Sequence, residues 1–464
     1  MIKKNNTKQM KNYLIRIARA LFFIGLISCD INEIPPHDLV ETNVISNQAT
    51  AEAALIGAYQ PLEIINEAPY GSLYISTGSH MVGFTTGSFG DFYDQLQENK
   101  FTRSVGWKEC SKIINGANLL IARTPPVEEN QFSSGRKKEI IAEATFLRFF
   151  AQYYLLRYYG QFWDINSEYG ALMRREPSDL TNADKAQSTV SETYTLLLED
   201  LDFVIANGPD FSSVYRASNL LAKAFKAEVL LMRGTDEDLQ NAIILAEEVL
   251  NNPSRNIESN YSDIFNNGFD SSELLFTRFM DEGLENLATR NVDSMFKMFS
   301  GELYPTSSFE ALLGDDTRSA MYIEVIDEAI IVPKIFKEDA RCLPYYMRTS
   351  QMELIKAEAY ARLGQKEMAI ETINILRTRA GEDFLDVLNI PDDQFIKTIF
   401  DEICKEIALE KSYEWFAAIR LKNESGTPLI FDLKPEIASV NQLIWPLPME
   451  ETEFNTLIKQ NPGY

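Results

Sequence analysis

Cys29 is the residue whose sequence context points most directly to a chemical modification. It ends the apolar run 20–28, which follows a leader whose only charged residues are six lysines and arginines. The run is much shorter than the ~20 residues of a transmembrane helix, and the order of basic, apolar and small residues is typical of a secretion signal. Leu26-Ile27-Ser28-Cys29 resembles a bacterial lipobox, in which the cysteine is acylated. We therefore expect residues 1–28 to be a cleaved signal peptide and Cys29 to be a lipid anchor, with an incidental cysteine after an ordinary signal as the alternative.

Side chains that support catalysis are few or unorganised in this sequence. The chain has only two histidines, His37 and His80, which argues against a histidine base or a histidine-rich metal site. The three other cysteines are scattered without C-x-x-C spacing, and neither a Gly-x-Ser-x-Gly elbow nor a phosphate-binding glycine loop is present. We expect no catalytic residue, metal or cofactor. A glycosidase with two carboxylates across a cleft is the enzymatic alternative, although none of the 68 acids stands in a motif that marks it.

The net charge argues against nucleic acid as a partner. The formal charge is −24, and removal of the six basic residues of the leader lowers it to −30. A surface of this charge repels phosphates, and polyanion binding requires a basic stripe that the sequence lacks. The composition therefore favours neutral ligands, or ligands that bind through local patches of the surface.

A helical phrase that occurs three times indicates the scaffold that would position any binding residues. Ala-Glu-Ala or Ala-Glu-Val precedes large side chains at 142–148, 227–233 and 357–362. Small and large residues after the third copy have the spacing at which a tetratricopeptide repeat packs two antiparallel helices. They are Ala357, Tyr360, Ala369, Ile373 and Leu376, with Leu363-Gly364 as the turn.

The second copy fits the same spacing with a turn three residues longer, and Thr235 is positioned there to cap a helix. We therefore predict a mostly α fold, a tetratricopeptide-like helical repeat scaffold with repeats around 139–252 and 350–420. An ordinary pair of antiparallel helices in an α domain gives a similar spacing and is the alternative.

Two long segments without helical periodicity interrupt this scaffold, at 69–101 and 253–349. They are rich in glycine, polar and aromatic residues, with short strand-like runs such as 329–332. Irregular loops on a rigid scaffold are where binding residues commonly lie. We expect residues 29–464 to form a single domain that carries these segments as two ligand-binding inserts.

Several phrases follow one another in order along nearly the whole chain and carry a resemblance to a known family. They are 50–59, 107–118, 142–160, 316–318, 347–360, 374–381, 406–420, 445–448 and 460–464. Together they resemble the SusD/RagB family of outer-membrane nutrient-binding lipoproteins. One departure is Ala417-Ala418, where the family commonly has Asp-Leu after a Trp-Phe pair.

The resemblance implies a lipid-anchored protein of the outer membrane that faces the outside. Such a protein captures oligosaccharide and delivers it to a SusC-like TonB-dependent transporter, over which it acts as a lid. The resemblance implies no catalysis. Peptide capture, as in RagB-like members, and a tetratricopeptide-type assembly adaptor are the alternatives.

Sugar binding combines aromatic rings, which stack on C–H faces, with polar side chains that hydrogen-bond to hydroxyls. Both inserts contain such residues, so we expect the ligand to bind there. Large aromatic residues are often buried, so local packing is the alternative role of each single ring. The four tryptophans are expected to be structural. The candidate residues are Phe84, Phe89, Asp91, Phe92, Tyr93 and Gln95 in the first insert, and Asn291, Phe296, Phe299 and Tyr304 in the second.

Overall fold

The structure is a computed structural model that describes residues 44–64, 78–86, 101–179, 181–279, 304–326, 329–334 and 344–464. The expected signal peptide and Cys29 lie outside these ranges. Long helices that pack on one another form the scaffold, and the predicted mostly α fold is confirmed. The helices are α1 (Gln48–Tyr59), α2 (Pro61–Ile64), α3 (Phe101–Arg123), α4 (Arg136–Tyr159), α5 (Val190–Asn207), α6 (Asn219–Arg233), α7 (Asp236–Leu250), α8 (Tyr261–Asn267), α9 (Ser307–Leu313), α10 (Gln351–Arg362), α11 (Lys366–Ala380), α12 (Asp392–Ile407), α13 (Tyr413–Arg420), α14 (Ile430–Leu433) and α15 (Met449–Phe454).

The long helices pack on one another in chain order, from α3 against α4 to α12 against α13. Helix α7 packs directly on α10, although about a hundred residues separate them in the sequence. The second insert therefore lies in the sequence between two helices that are neighbours in the stack. A helical repeat scaffold interrupted by an insert is expected to have this arrangement.

The two repeat hairpins, α6–α7 and α10–α11, are built as the sequence predicts. Ala227 and Ala242 are fully buried between helices, as are Ala357 and Ala369 in the later hairpin. Tyr360 packs against the core but is only partly buried. Small residues at these positions let the two helices of each hairpin approach closely.

The turn of the first hairpin differs from the sequence interpretation. Gly234 ends α6 in the left-handed region at φ 73°, and Thr235 caps α7 through a reciprocal pair of hydrogen bonds with Asp238. Only two residues separate α6 from α7, whereas three separate α10 from α11. The extra residues of this copy therefore belong to the helices and not to the turn.

The second insert contains short paired strands, as predicted, and also two short helices that were not predicted. Strand β2 (Leu274–Phe276) pairs antiparallel with β6 (Met347–Arg348), and β4 (Glu324–Ile326) pairs with β5 (Ala329–Ile331). Helices α8 and α9 have seven residues each. Two helical turns are too short to produce a periodic pattern in the sequence.

The C-terminal segment packs back on the scaffold. The Asn461 amide donates to the carbonyls of Tyr159 and Trp445, both at 2.7 Å, and the Tyr464 hydroxyl donates to the Ile444 carbonyl at 3.1 Å. Of the four tryptophans, Trp107, Trp415 and Trp445 are buried and Trp163 packs against the core from a partly buried position. The structural role expected of the tryptophans is confirmed for the three buried ones and stays a prediction for Trp163.

Candidate functional site

A two-stranded sheet joins the two inserts. Strand β1 (Thr85–Thr86) pairs antiparallel with β3 (Tyr304–Pro305), so that Thr86 lies opposite Tyr304. The next residue, Thr306, donates its N–H to the Phe84 carbonyl at 2.9 Å and its hydroxyl to the Gly83 carbonyl at 2.7 Å. Phe84 directly precedes β1, and the other candidates of the first insert follow it in the chain. Tyr304 is the first residue of β3, and the other candidates of the second insert precede it.

Of the candidate ligand-binding residues, the structure describes two. Phe84 is 2% exposed and stacks on Phe309, with ring centroids 4.8 Å apart, so in this structure it has the packing role that was the alternative. Tyr304 is described through its backbone, which forms β3. The other candidates lie outside the described residues, and their role stays a prediction. They are Phe89, Asp91, Phe92, Tyr93, Gln95, Asn291, Phe296 and Phe299.

The sheet is anchored on the helical body by aromatic contacts. The Phe84 ring lies 6.3 Å from that of Phe400 on α12, and the Phe309 ring meets Tyr322 edge to face at 5.5 Å. The Thr306 hydroxyl also caps α9 by accepting the Phe309 N–H. The base of the candidate site is therefore a packed and hydrogen-bonded platform.

The junction between α12 and α13, residues 409–412, connects the insert bases to the scaffold. Three of its four residues have positive φ although none is glycine: Leu409 at 64°, Lys411 at 42° and Ser412 at 57°. A conformation of this kind costs about 1 to 3 kcal/mol per residue and persists only where the surroundings impose it. The side chains of this junction supply the contacts that impose it.

Glu410 of the junction belongs to a buried cluster centred on Arg348 of β6. The Arg348 guanidinium is fully buried and donates to Glu410 and Glu406 at 2.8 Å and to Glu273 at 3.1 Å. Burial raises the pKa of Glu406, but the guanidinium groups of Arg379, Arg348 and Arg318 outweigh it and bring the pKa to about 2. The cluster ties the second insert to α12 at two places, Glu273 next to β2 and Arg348 in β6.

The glutamate of each repeated helical phrase is also a buried member of an ion pair. Glu143 accepts from Arg216 at 2.6 Å, and Glu228 pairs with Lys411 of the junction. Glu358 accepts from Arg420 at 2.9 Å.

Burial raises the pKa of Glu228 and that of Glu358, but the partner cations outweigh it, and both values lie below the ordinary one. This role was not predicted from the sequence, because a glutamate within a helical phrase ordinarily faces water. The signal that was available is the recurrence of the same acid in all three copies.

A separate cleft of about 580 Å³ lies on α11 and is lined by none of the candidate residues. Ile375 and Phe384 expose 46% and 72% of their surface there. Its lining, within the described part of the chain, contains the carboxylates of Glu367, Glu371 and Asp386 and no basic side chain. The cleft combines an apolar surface with negative charge.

Within the described ranges, no group of three or more His, Cys, Asp or Glu side chains is arranged to hold a metal ion. No helix in those ranges has the length and apolarity that crossing a bilayer requires. Cys110 and Cys404 are buried free thiols. Burial raises the pKa of each, which disfavours the reactive thiolate.

In comparison with known proteins, this chain is similar in sequence to SusD-like proteins. Residues 337–464 match the model of the SusD family. A SusD-like protein of Bacteroides ovatus is 24% identical over 275 residues, which cover 55% of this chain and 47% of that protein. The chain thus spans about half the length of this relative.

Solved structures extend the similarity to nearly the whole chain. A SusD superfamily protein from Bacteroides thetaiotaomicron superposes with a TM-score of 0.73 at 20% identity, over 89% of this chain and 99% of that one. A laminarin-binding SusD-like protein gives a TM-score of 0.69 at 18% identity, over 90% of this chain and 100% of that one. The resemblance recognised in the sequence is thereby confirmed: residues 337–464 match the model of the SusD family, and the chain has the fold of SusD superfamily structures.

Proposed function

We propose that this protein captures oligosaccharide at the cell surface and delivers it to a SusC-like TonB-dependent transporter. The observation that carries the proposal is the pairing of β1 with β3, which brings the chain of both aromatic inserts to one place on a SusD-type scaffold. Rings from two inserts can then stack on one sugar chain while polar neighbours bind its hydroxyls. The laminarin-binding relative supports a glycan as the class of ligand.

The proposal is tested by calorimetric titration of the protein with a panel of neutral glycans that includes laminarin. We expect saturable binding of at least one glycan, and we expect the glycan to be recovered at its original chain length. Cleavage that disappears when one aspartate or glutamate is replaced would favour the glycosidase alternative. Absence of binding across plant, microbial and host glycans, with binding of peptides instead, would favour peptide capture.

The proposed location is the outer face of the outer membrane, through a lipid on Cys29. Acyl chains anchor a protein by burying their methylene groups, at about 0.8 kcal/mol for each, so no membrane-spanning segment is required. We expect wild-type protein to incorporate labelled palmitate in cells. Cys29→Ala should abolish the label and either release the protein or leave its leader unprocessed. Persistent labelling of the variant would contradict the assignment.

An adaptor role is a second candidate, favoured by the cleft on α11. Its exposed apolar side chains and carboxylates suit a protein segment with apolar and basic residues. This role does not compete with glycan capture, because it uses a repeat helix and not the inserts. If replacing Phe384 lowers the glycan affinity while variants of the inserts keep wild-type affinity, the glycan binds in the cleft and not at the inserts.

A further inference from the structure

We propose that Glu414 is a positioning residue for the first insert, which it holds in its binding conformation while its carboxyl is protonated and releases on ionisation. The inference rests on the proposed function, since the insert is taken to bind the ligand. The part of the first insert that Glu414 contacts is the segment 78–86, which ends in β1. Four observations carry the inference.

The first observation is the environment of the carboxyl group. Glu414 is fully buried, and its Oε1 accepts hydrogen bonds from the Ser79 hydroxyl and from the Leu409 N–H, the latter at 3.1 Å. Its Oε2 is buried without a hydrogen-bond partner among the described residues. An ionised carboxylate with a bare buried oxygen is costly, whereas a neutral carboxyl group costs much less.

The second observation is a contact beside the first that fixes the same segment. The Gly78 N–H donates to the Ser412 hydroxyl oxygen at 3.0 Å, and the Tyr158 hydroxyl donates to the same oxygen at 2.9 Å. The two backbones are so close that a Cβ on Gly78 would lie 2.4 Å from the Cα of Ser412. The start of the segment is therefore seated on the strained 409–412 junction.

The third observation links this contact to the candidate site. The Ser79 carbonyl accepts the Phe84 N–H at 2.7 Å, and the His80 carbonyl accepts the Gly83 N–H at 2.9 Å. Phe84 in turn precedes β1, whose partner strand carries Tyr304. A short, hydrogen-bonded turn thus connects the Glu414 contact to the sheet that joins the two inserts.

The fourth observation is electrostatic. Burial raises the pKa of Glu414 to about 7, against a smaller lowering by the Ser79 hydroxyl. Lys334 is the cation whose charge acts on Glu414, but its ammonium group is bound to Glu410 at 2.7 Å. Among the residues that the structure describes, the carboxyl group therefore has no cation of its own.

The other titratable groups around Glu414 have other partners or another role. Lys411 pairs with Glu228, and Glu410 pairs with Arg348 and Lys334. Cys404, on α12, is a buried thiol whose pKa is raised, first by burial. His80 is buried next to Ser79 and needs a control variant of its own.

The direction of the pH dependence follows from linkage. The folded state holds a proton on Glu414 in the range between the ordinary carboxyl pKa and about 7, where the unfolded chain has lost it. The stability that this proton contributes is complete below the ordinary pKa and is lost as the pH rises towards 7. The Ser79 hydrogen bond by itself favours the ionised carboxyl, but burial outweighs it, and a buried carboxylate is relieved when water reaches it. We therefore expect segment 78–86 to separate from Glu414 over the same range of pH.

The test makes two measurements, each at about pH 5.5 and at about pH 8.5. One is the hydrogen exchange of the amides in 78–86 without ligand, corrected for intrinsic exchange rates. The other is the affinity for laminarin. In the wild type we expect faster exchange and about tenfold weaker binding at the higher pH, within the usual range of coupling between sites. Glu414→Gln stays neutral and isosteric, and should remove both pH dependences. His80→Gln should retain them.

Two further variants keep the proposal falsifiable if Glu414→Gln folds poorly. Ser79→Ala removes the hydroxyl donor, and Gly78→Ala separates the backbones sterically; each should speed exchange in 78–86 at both pH values. A wild-type pH profile in Glu414→Gln, or exchange in 78–86 that does not depend on pH, would overturn the proposal. If exchange depends on pH as predicted but laminarin binds at neither pH, the Glu414 contact is supported and laminarin is excluded as the ligand.

Discussion

Arg348→Met is expected to lower the free energy of unfolding by about 3 to 5 kcal/mol, or to prevent folding, because it breaks a buried ion cluster by removing one partner. Arg348 is 0% exposed and bonds three carboxylates that are themselves buried. Its Nη2 also donates to the Glu406 carbonyl at 2.7 Å. Methionine fills most of the volume but satisfies none of these acceptors.

Two variants separate this effect from a general effect of charge removal, with unfolding followed in urea. Arg348→Lys retains the charge, but one ammonium group cannot match the fork of a guanidinium that bonds several carboxylates, so we expect little recovery. Lys108→Met breaks an exposed pair with Glu450 at 3.2 Å and should change stability by less than about 1 kcal/mol. Similar losses in Lys108→Met and Arg348→Met would contradict the importance of the cluster.

The scaffold was predictable because its signals are local. The alanines of α6 and α10, the glycine that ends α6 and the threonine that caps α7 each act within one or two helical turns, and the structure has them in these roles. The paired strand at Ala329–Ile331 was visible for the same reason. Local composition also separated the inserts from the helices.

The ion pairs were not predictable, because their partners are far apart in the sequence. Lys411 lies 183 residues from Glu228, and Arg420 lies 62 residues from Glu358. The positive φ of the 409–412 junction leaves no trace in residue type either, since Leu409, Lys411 and Ser412 are not the residues that favour it. These contacts exist only once the fold has brought α6 to the 409–412 junction and α10 to α13.

The candidate site could be predicted from the sequence in part, less fully than the scaffold but better than the ion pairs. The composition of the two inserts pointed to aromatic and polar binding residues, but not to the contact between the inserts. Strands β1 and β3 have two residues each, and the five long helices α3 to α7 separate them in the sequence, so no period or spacing marks their pairing. Phe84 shows the limit of composition, because its ring is buried against Phe309.

Phe92→Ala, Tyr93→Ala and Tyr304→Ala are each expected to weaken glycan binding by about tenfold or more, or ~1.4 kcal/mol. A ring that stacks on a sugar must be exposed in the free protein, so its removal should hardly change the melting temperature. The measurement is calorimetric titration with the glycan that the wild type binds, paired with thermal unfolding. The β1–β3 pairing motivates the choice, since it places Tyr304 opposite Thr86, six residues before Phe92.

Phe384→Ala is the matched control, because this ring is 72% exposed but lies on the α11 cleft, outside both inserts. It should retain wild-type affinity and wild-type stability.

Leu376→Ala, which removes a side chain that is 1% exposed in α11, should lower stability by about 2 to 5 kcal/mol while the folded fraction keeps its affinity. If all three insert variants bind as the wild type does, the glycan site is not built from these rings. A loss confined to Phe384→Ala would assign binding to the repeat helices, because an exposed ring contributes to affinity only where the ligand lies against it.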